Sequence, residues 1–202
     1  LLVEGKKMSK SEGNFFTLRD LLLKGYRASA IRFLLVSVPY RNQMNFTFEG
    51  LAGATNAIDR LRTFHQRMLR GGFAEGVEPS VSAAAERAGR EFTAALANDL
   101  NTAEAVAAVA EMVRAANSAA DAGTLRSGNL PGILQVLEQF DGVFAVLEDR
   151  DAGLTRAALQ WAETEGRLDE AAPELVARMG LSDEEIDALI AERTQAKKTR
   201  NF

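Results

Sequence analysis

Two lysines and two serines lie within five residues near the start of the chain, in Lys7-Met8-Ser9-Lys10-Ser11, and Glu12-Gly13-Asn14 follows directly. A lysine ammonium is a mobile point charge for phosphate, and a serine hydroxyl donates a hydrogen bond to a phosphate oxygen. A nearby glycine lets the backbone take a positive φ or come close to a ligand. The segment therefore predicts a polyphosphate site, while the same residue types alone are also typical of a solvated basic loop before a helix.

The longer sequence context favours the phosphate interpretation. Residues 1–22 closely resemble the KMSKS loop region of class I aminoacyl-tRNA synthetases and, within that class, of the cysteinyl-tRNA synthetases. Further similar blocks follow in the same order at residues 30–37, 40–41, 44–46 and 98–105. The resemblance is close through about residue 120, weaker to about residue 180, and faint again from Glu192 to Phe202.

The resemblance implies a role for each polar residue of the loop. In the family, the second lysine of the motif, here Lys10, stabilises phosphate charge while the amino-acid carboxylate attacks the α-phosphorus of ATP. Lys7 is the expected second contributor. Ser9 and Ser11 are expected either to contact phosphate or to shape the loop through local turns. Because residues 5–14 lack apolar anchors, we expect them to be mobile, and we expect Lys10 to stay out of buried ion pairs.

The same resemblance implies cofactors that this chain cannot hold by itself. The complete enzymes use ATP with Mg²⁺, carry a second ATP motif, HIGH, in a parallel sheet, and bind zinc to select the substrate thiolate. This chain has no Cys and a single His, so it cannot form a Cys/His zinc site of its own. It also begins at Leu1 without an initiator Met, as if within a strand. We interpret it as the C-terminal portion of a larger enzyme, inactive without its missing catalytic domain.

Composition is compatible with this interpretation. The chain has 202 residues, of which 47% are hydrophobic, so it can bury the core of one or two domains. No window approaches the ~20 apolar residues of a membrane span, and no signal-peptide pattern is present. We expect a cytoplasmic monomer.

Charge is distributed unevenly, although the formal net charge is only −4. Residues 1–41 carry eight Lys or Arg against three Asp or Glu, whereas residues 151–192 carry three against eleven. The last ten residues are basic and include Lys197 and Lys198. This asymmetry favours contact with nucleotide or RNA at the two ends of the chain, and an exposed helix face is the alternative for the basic tail.

Apolar residues repeat at helical spacing along most of the chain and predict an all-α fold. A helix bundle is indicated, with helices over about 48–69, 82–97, from 102 onward and across 133–147. Thr17 with Asp20, and Ser182 with Glu185, are predicted capping boxes. His65, Phe140 and Phe144 lie on apolar stripes and are expected to be structural. Asp99 and Asn101 are attributed to capping at a helix turn.

The resemblance divides the chain into three segments. Residues 1–46 would form the KMSKS loop and stem-contact region, 47–168 a DALR-type helical bundle that binds tRNA, and 169–202 a linker and the first helix of an anticodon-recognition domain. Candidate tRNA(Cys) contacts are Arg60, Arg67, Lys197 and Lys198. Two alternatives remain: an ATP-dependent ligase of cysteine and an amino sugar on the same scaffold, and a non-enzymatic helical adaptor.

Overall fold

The computed structural model describes residues 1–179 together with 188, 191, 192 and 195. Within these residues most of the chain is helical, which confirms the predicted all-α class. The helices are α1 (Leu18–Leu23), α2 (Ala28–Val36), α3 (Phe48–Arg70), α4 (Pro79–Ala97), α5 (Thr102–Asp121), α6 (Leu130–Phe144), α7 (Asp151–Thr164) and α8 (Pro173–Val176). Short strands are β1 (Leu2–Val3), β2 (Lys6–Lys7) and β3 (Asn45–Phe46).

The chain folds into two compact units. The first comprises Leu1–Phe15 and Arg27–Asp151, and the second comprises Phe16–Tyr26 and Ala152–Phe202. The three-segment division by resemblance stays a prediction, and the predicted capping box at Ser182 lies outside the described residues. None of the helices in the described part of the chain is long and apolar enough to cross a membrane.

Aromatic rings form the centre of the first unit. Phe140 and Phe144 stack on the buried face of α6, with ring centroids 4.5 Å apart. Phe33 of α2 lies 6.0 Å from Phe144, and Phe92 of α4 lies 6.3 Å from Phe140. Because Phe140 and Phe144 are buried, their predicted structural role is confirmed. Offset and tilted ring contacts of this kind add to the burial of apolar area.

Helix starts follow the capping residues, with one correction. Thr17 and Asp20 form the predicted capping box of α1, and Asn101 caps α5 by accepting a hydrogen bond from the backbone N–H of Glu104. Helix α4 begins at Pro79, three residues before the predicted start at 82. Proline suits the first helical turn, and the Glu78 side chain accepts from the Ser80 N–H. The loop between α3 and α4 is therefore shorter than the sequence predicted.

Burial along two helices differs in part from the apolar pattern. On α2, Ile31 and Phe33 are buried whereas Leu35 is 46% exposed, so not every apolar residue of this helix faces the core. On α3, Phe64 is buried beside a half-buried His65. Helix α7 is regular although its apolar pattern is weak, because small residues, Ala158 and Ala162, provide much of its buried face.

In the second unit, α1 and the segment after α7 are joined by a backbone hydrogen bond. The Ala172 N–H donates to the Leu23 carbonyl at 2.8 Å. Two guanidinium groups lie over the Trp161 ring, with the Arg19 group 4.2 Å and the Arg167 group 5.1 Å from its centroid. Arg167 is also held by the Glu170 carboxylate through two 2.7 Å hydrogen bonds. These contacts order the side chains around Trp161.

A buried carboxylate joins three distant segments of the first unit. Helix α2 has no side-chain cap of its own, and Asp151 takes that place by accepting from the Ser29 N–H at 2.8 Å and the Ser29 hydroxyl at 2.7 Å. Arg62 of α3 donates to the same carboxylate at 2.9 Å. The Arg62 guanidinium also donates to the carbonyls of Val146 and Glu148, so the buried charges are paired and hydrogen-bonded.

The pKa of Asp151 is set by opposing effects. Burial alone would raise it, but hydrogen bonds from the Ser29 hydroxyl and N–H, together with Arg62, outweigh burial and lower the pKa below its ordinary 3.8. A carboxyl with a lowered folded-state pKa stabilises the fold above its unfolded pKa. This contribution is lost progressively as the pH falls below about 4, through the folded-state pKa.

Replacing Asp151 with Asn should therefore destabilise the chain. We expect Asp151→Asn to lower the free energy of unfolding by about 2–3 kcal/mol at pH 7, because Arg62 loses its buried counter-charge and keeps its carbonyl partners. Urea unfolding measures this change. The difference from wild type should shrink as the pH falls below about 4. Asp121→Asn, which removes an exposed partner of Arg67, is the matched control and should cost less than about 1 kcal/mol. Equal losses in both variants would contradict the buried role of Asp151.

Candidate functional site

The lysine- and serine-rich loop grows from a small three-stranded sheet. Strand β1 pairs antiparallel with β2, with Leu2 opposite Lys7 and Val3 opposite Lys6, and parallel with β3. The β1–β2 turn consists of Glu4 and Gly5, with φ values of 49° and 79°. Two consecutive positive φ values are typical of the two-residue turns that match the twist of a hairpin. The sheet thus fixes the direction in which the chain leaves β2.

Four hydrogen bonds attach this hairpin to the segment that leads into α3. The Leu2 and Glu4 N–H groups donate to the carbonyls of Met44 and Phe46, at 2.8 and 2.9 Å. The Gly5 N–H donates to Asn45 Oδ1 at 2.9 Å. The Glu4 carboxylate accepts from the Phe48 N–H at 2.8 Å, at the N-terminus of α3, where a negative charge is favourable. The left-handed backbone of Glu4 is uncommon in residues other than glycine. The hydrogen bond from the Phe48 N–H to the Glu4 carboxylate is a stabilising contact that a glycine at this position could not form.

Asn14 closes the loop that follows β2. Its Oδ1 accepts from the Ser9 N–H at 2.8 Å, and its Nδ2 donates to the Lys7 carbonyl at 3.1 Å. Inside this closure, the Gly13 N–H donates to the Lys10 carbonyl at 3.3 Å, and Gly13 has a φ of 68°. The motif is therefore held as a closed loop by a side chain that follows it.

The two lysines project from this loop and are exposed. Neither Lys7 nor Lys10 forms an ion pair with another described residue. The Lys10 ammonium lies 5.3 Å from the centroid of the Phe15 ring. Lys10 is thus free of a buried ion pair, as a phosphate-binding role requires, while the expected mobility of residues 5–14 stays a prediction.

The serine hydroxyls contact each other. Ser9 Oγ and Ser11 Oγ are 2.7 Å apart, so one donates to the other. This geometry supports the loop-shaping alternative for Ser9 and Ser11, and a contact with phosphate would require the pair to exchange partners.

The residues of this chain do not fit the zinc site that the resemblance implies. The sequence contains no Cys, and no group of three or more His, Asp or Glu in the described residues could hold a metal ion. A zinc site that recognises a thiolate is built mainly from Cys and His ligands.

Arg60 and Arg67 line a common cleft between α3 and α5. The cleft has a volume of about 670 Å³, and Arg114 of α5 lines it as well. Arg60 and Arg114 are exposed, whereas Arg67 donates to Asn117 at 3.2 Å and pairs with Asp121 at 2.8 Å. The structure therefore brings two of the four candidate RNA contacts together. Lys197 and Lys198 lie outside the described residues.

Sequence reasoning missed several contacts. Asn14 was noted next to the motif without a structural role, and Arg114 was not named. Neither residue stands out from its local pattern. Asp99 was expected to cap a helix, and that expectation is wrong: its side chain binds Tyr40 and Arg41, while Asn101 alone caps α5. The partner of Asp99 lies 58 residues earlier in the chain, beyond the range of any local capping pattern.

Two family models match parts of this chain. Residues 1–79 match the family model of the catalytic domain of class I (C) tRNA synthetases, and residues 91–148 match the DALR domain. The chain is 49% identical over 205 residues to the cysteine-tRNA ligase of Koribacter versatilis (strain Ellin345), covering all of this chain and 41% of that protein. It is 45% identical over 203 residues to that of Solibacter usitatus (strain Ellin6076), covering 38% of the relative.

A more distant cysteine-tRNA ligase, from Leptospira interrogans serovar Lai (strain 56601), is 34% identical over 211 residues and also aligns with the whole chain. The chain spans about two fifths of the length of the curated relatives it matches. With a class I synthetase loop and a DALR domain in one chain, the chain belongs to the cysteinyl-tRNA synthetase family.

Removing the Asn14 side chain should open the loop. We expect Asn14→Ala to raise the rate of amide exchange at Ser9 and of tryptic cleavage after Lys10 by about five- to tenfold, since two hydrogen bonds of about 0.5–0.7 kcal/mol each are lost at a partly exposed site. Hydrogen-exchange mass spectrometry and timed proteolysis measure these rates. Asn56→Ala, on the exposed face of α3, is the control and should leave both unchanged. Wild-type rates in Asn14→Ala would show that Asn14 does not close the loop.

Proposed function

We propose that this chain supplies the KMSKS loop and the tRNA-binding bundle of a cysteinyl-tRNA synthetase. The complete enzyme would activate cysteine with ATP to cysteinyl-adenylate and transfer the cysteine to tRNA(Cys). The observation that carries the proposal is the state of Lys10: an exposed ammonium without an ion-pair partner among the described residues, on a loop that Asn14 closes and a hairpin anchors.

The chemistry follows from the charge that develops on ATP. When the cysteine carboxylate attacks the α-phosphorus, pyrophosphate leaves and negative charge accumulates on the phosphate oxygens. A lysine held beside these oxygens stabilises that charge without reorganising at the moment of reaction. Lys10 would provide this charge and Lys7 a second one, while Ser9, Ser11 and Asn14 would keep the loop in shape.

The remaining parts of the reaction would come from outside this chain. Mg²⁺ would arrive with ATP and partly neutralise its phosphates. Zinc and the second ATP motif would belong to the rest of the catalytic domain, outside this chain, so this chain alone should not form the adenylate. We further propose that the complete enzyme is a monomer that acts in the cytoplasm, where tRNA is charged for protein synthesis.

The cleft between α3 and α5 is the proposed tRNA surface within the described residues. Arg60, Arg67 and Arg114 line it, and arginine forks suit phosphate oxygens. Arg67 already has protein partners, so RNA would compete with Asp121 for it, whereas Arg60 and Arg114 are exposed. Lys197 and Lys198 are proposed to add contacts from the basic tail.

The catalytic part of the proposal is tested in the complete enzyme. Lys10→Ala should slow cysteine-dependent ATP–pyrophosphate exchange by about 10²-fold, mainly in kcat, because the charge acts on the transition state more than on bound cysteine. Lys6→Ala is the matched control, since Lys6 lies on β2, just before the loop that carries Lys10, and is also exposed. Near-normal exchange by Lys10→Ala would remove Lys10 from the proposed role.

The tRNA part is tested by titrating labelled tRNA(Cys) at two salt concentrations. The affinity of the wild-type chain should be weak and should fall as salt rises, because phosphate contacts release counterions. Replacing Arg60, Arg67, Lys197 and Lys198 with Ala should weaken binding and flatten the salt dependence. Arg87→Ala with Arg90→Ala, on the exposed face of α4, is the control. A complete enzyme that binds no tRNA and joins cysteine to an amino sugar would support the sugar-ligase alternative instead.

A further inference from the structure

A carboxylate in the turn between α4 and α5 holds two side chains of the loop between α2 and β3. Asp99 Oδ2 accepts from Arg41 Nε at 2.5 Å, and Asp99 Oδ1 accepts from Arg41 Nη2 at 3.1 Å and from the Tyr40 hydroxyl at 2.7 Å. The Arg41 guanidinium also lies 5.1 Å from the centroid of the Tyr40 ring. The two parallel Arg41 bonds fix the direction of the contact as well as its distance.

The loop that Asp99 holds continues into the anchor of the KMSKS hairpin. The Asn42 N–H donates to the Pro39 carbonyl at 2.9 Å and turns the chain. Two residues further on, the Met44 carbonyl and the Asn45 side chain accept from the N–H groups of Leu2 and Gly5. Only two residues therefore separate the contact with Asp99 from the contacts that hold the hairpin.

The backbone around Asp99 is shaped for this contact. Asp99 and Leu100 have φ values of 55° and 53°, so two consecutive residues other than glycine adopt the left-handed region. Such residues persist only where the surroundings hold them. Here the Leu100 N–H donates to the Leu96 carbonyl and the Asn101 N–H to the Ala95 carbonyl. Because Asn101 caps α5, the Asp99 carboxylate is not needed for capping and is free to hold the loop.

We propose that Asp99 is a positioning residue for the KMSKS loop. By holding Tyr40 and Arg41, it fixes the loop before β3 to the α4–α5 turn, and through β3 it limits the positions that the hairpin can take relative to the bundle. The effect on catalysis rests on the proposed function of the hairpin, whereas the attachment itself concerns this chain alone. A contact between exposed side chains adds little to global stability, so its effect should be local.

The attachment is tested by amide exchange in the chain as it stands. Asp99→Ala should raise the exchange rates of the Leu2 and Gly5 amides about two- to fivefold, the range expected for loss of an exposed ion pair. Asp99→Asn, which keeps an acceptor for Tyr40, should give a smaller rise. The thermal midpoint of both variants should stay close to that of wild type. Asp121→Asn, which removes an exposed ion pair at the other end of α5, should leave the hairpin amides unchanged.

Wild-type exchange at Leu2 and Gly5 in Asp99→Ala would overturn the inference. A rise at every amide of the bundle together with a lower thermal midpoint would overturn it as well, because Asp99 would then be a general stability residue.

The consequence for catalysis is tested in the complete synthetase. Asp99→Ala should lower kcat for ATP–pyrophosphate exchange about two- to fivefold and leave KM for cysteine unchanged. Asp99→Glu, which keeps the carboxylate, should retain part of the rate that Asp99→Ala loses. An unchanged kcat would overturn the catalytic part of the inference. If wild-type protein shows no exchange, the proposed function fails, and the amide-exchange result alone decides whether Asp99 positions the hairpin.

Discussion

The buried contact between Arg62 and Asp151 is the interaction on which the rest of the first unit depends. It joins the N-terminus of α2, the middle of α3 and the segment after α6 in one hydrogen-bonded group. Two charges that are nearly excluded from water require this complete set of partners, so the three segments can meet in few other ways. Since β3 lies between α2 and α3, the same contact limits where the small sheet can form.

The hairpin combines a fixed base with exposed lysines. The hairpin is held by the backbone of residues 44–46 and by the bond between Glu4 and the N-terminus of α3, whereas Lys7 on β2 and Lys10 in the following loop have no ion-pair partner among the described residues. A group that stabilises a transition state must be placed accurately by residues that are themselves fixed. An exposed lysine on an anchored loop meets this requirement and can still close on a ligand.

The sequence could predict those parts of the fold that depend on interactions between residues close together in the chain. The regular apolar spacing of α3, α4 and α6 and the polar caps at Thr17 and Asn101 predict helices directly. Strands of two residues show no periodicity, so the three-stranded sheet could not be predicted in this way. The roles of Arg62 and Asp99 depend on partners far away in sequence, and both residues are indistinguishable from ordinary polar surface residues in a local pattern.

The candidate loop was predicted for a different reason. The residue types of the KMSKS segment suit phosphate, and the ordered blocks of resemblance made the family specific, so Lys7 and Lys10 could be named before the fold was known. What sequence could not supply was the closure by Asn14 or the mutual bond of Ser9 and Ser11, because those depend on the turn geometry that the hairpin imposes.

The most direct measurement of the central claim is a crystal structure of the complete synthetase with a non-reactive ATP analogue. We expect Lys10 Nζ to lie within about 3 Å of a phosphate oxygen, with β1 and β2 still paired and Asn14 still closing the loop. An analogue bound with its phosphates held by other residues, and with Lys10 remaining in solvent, would contradict it.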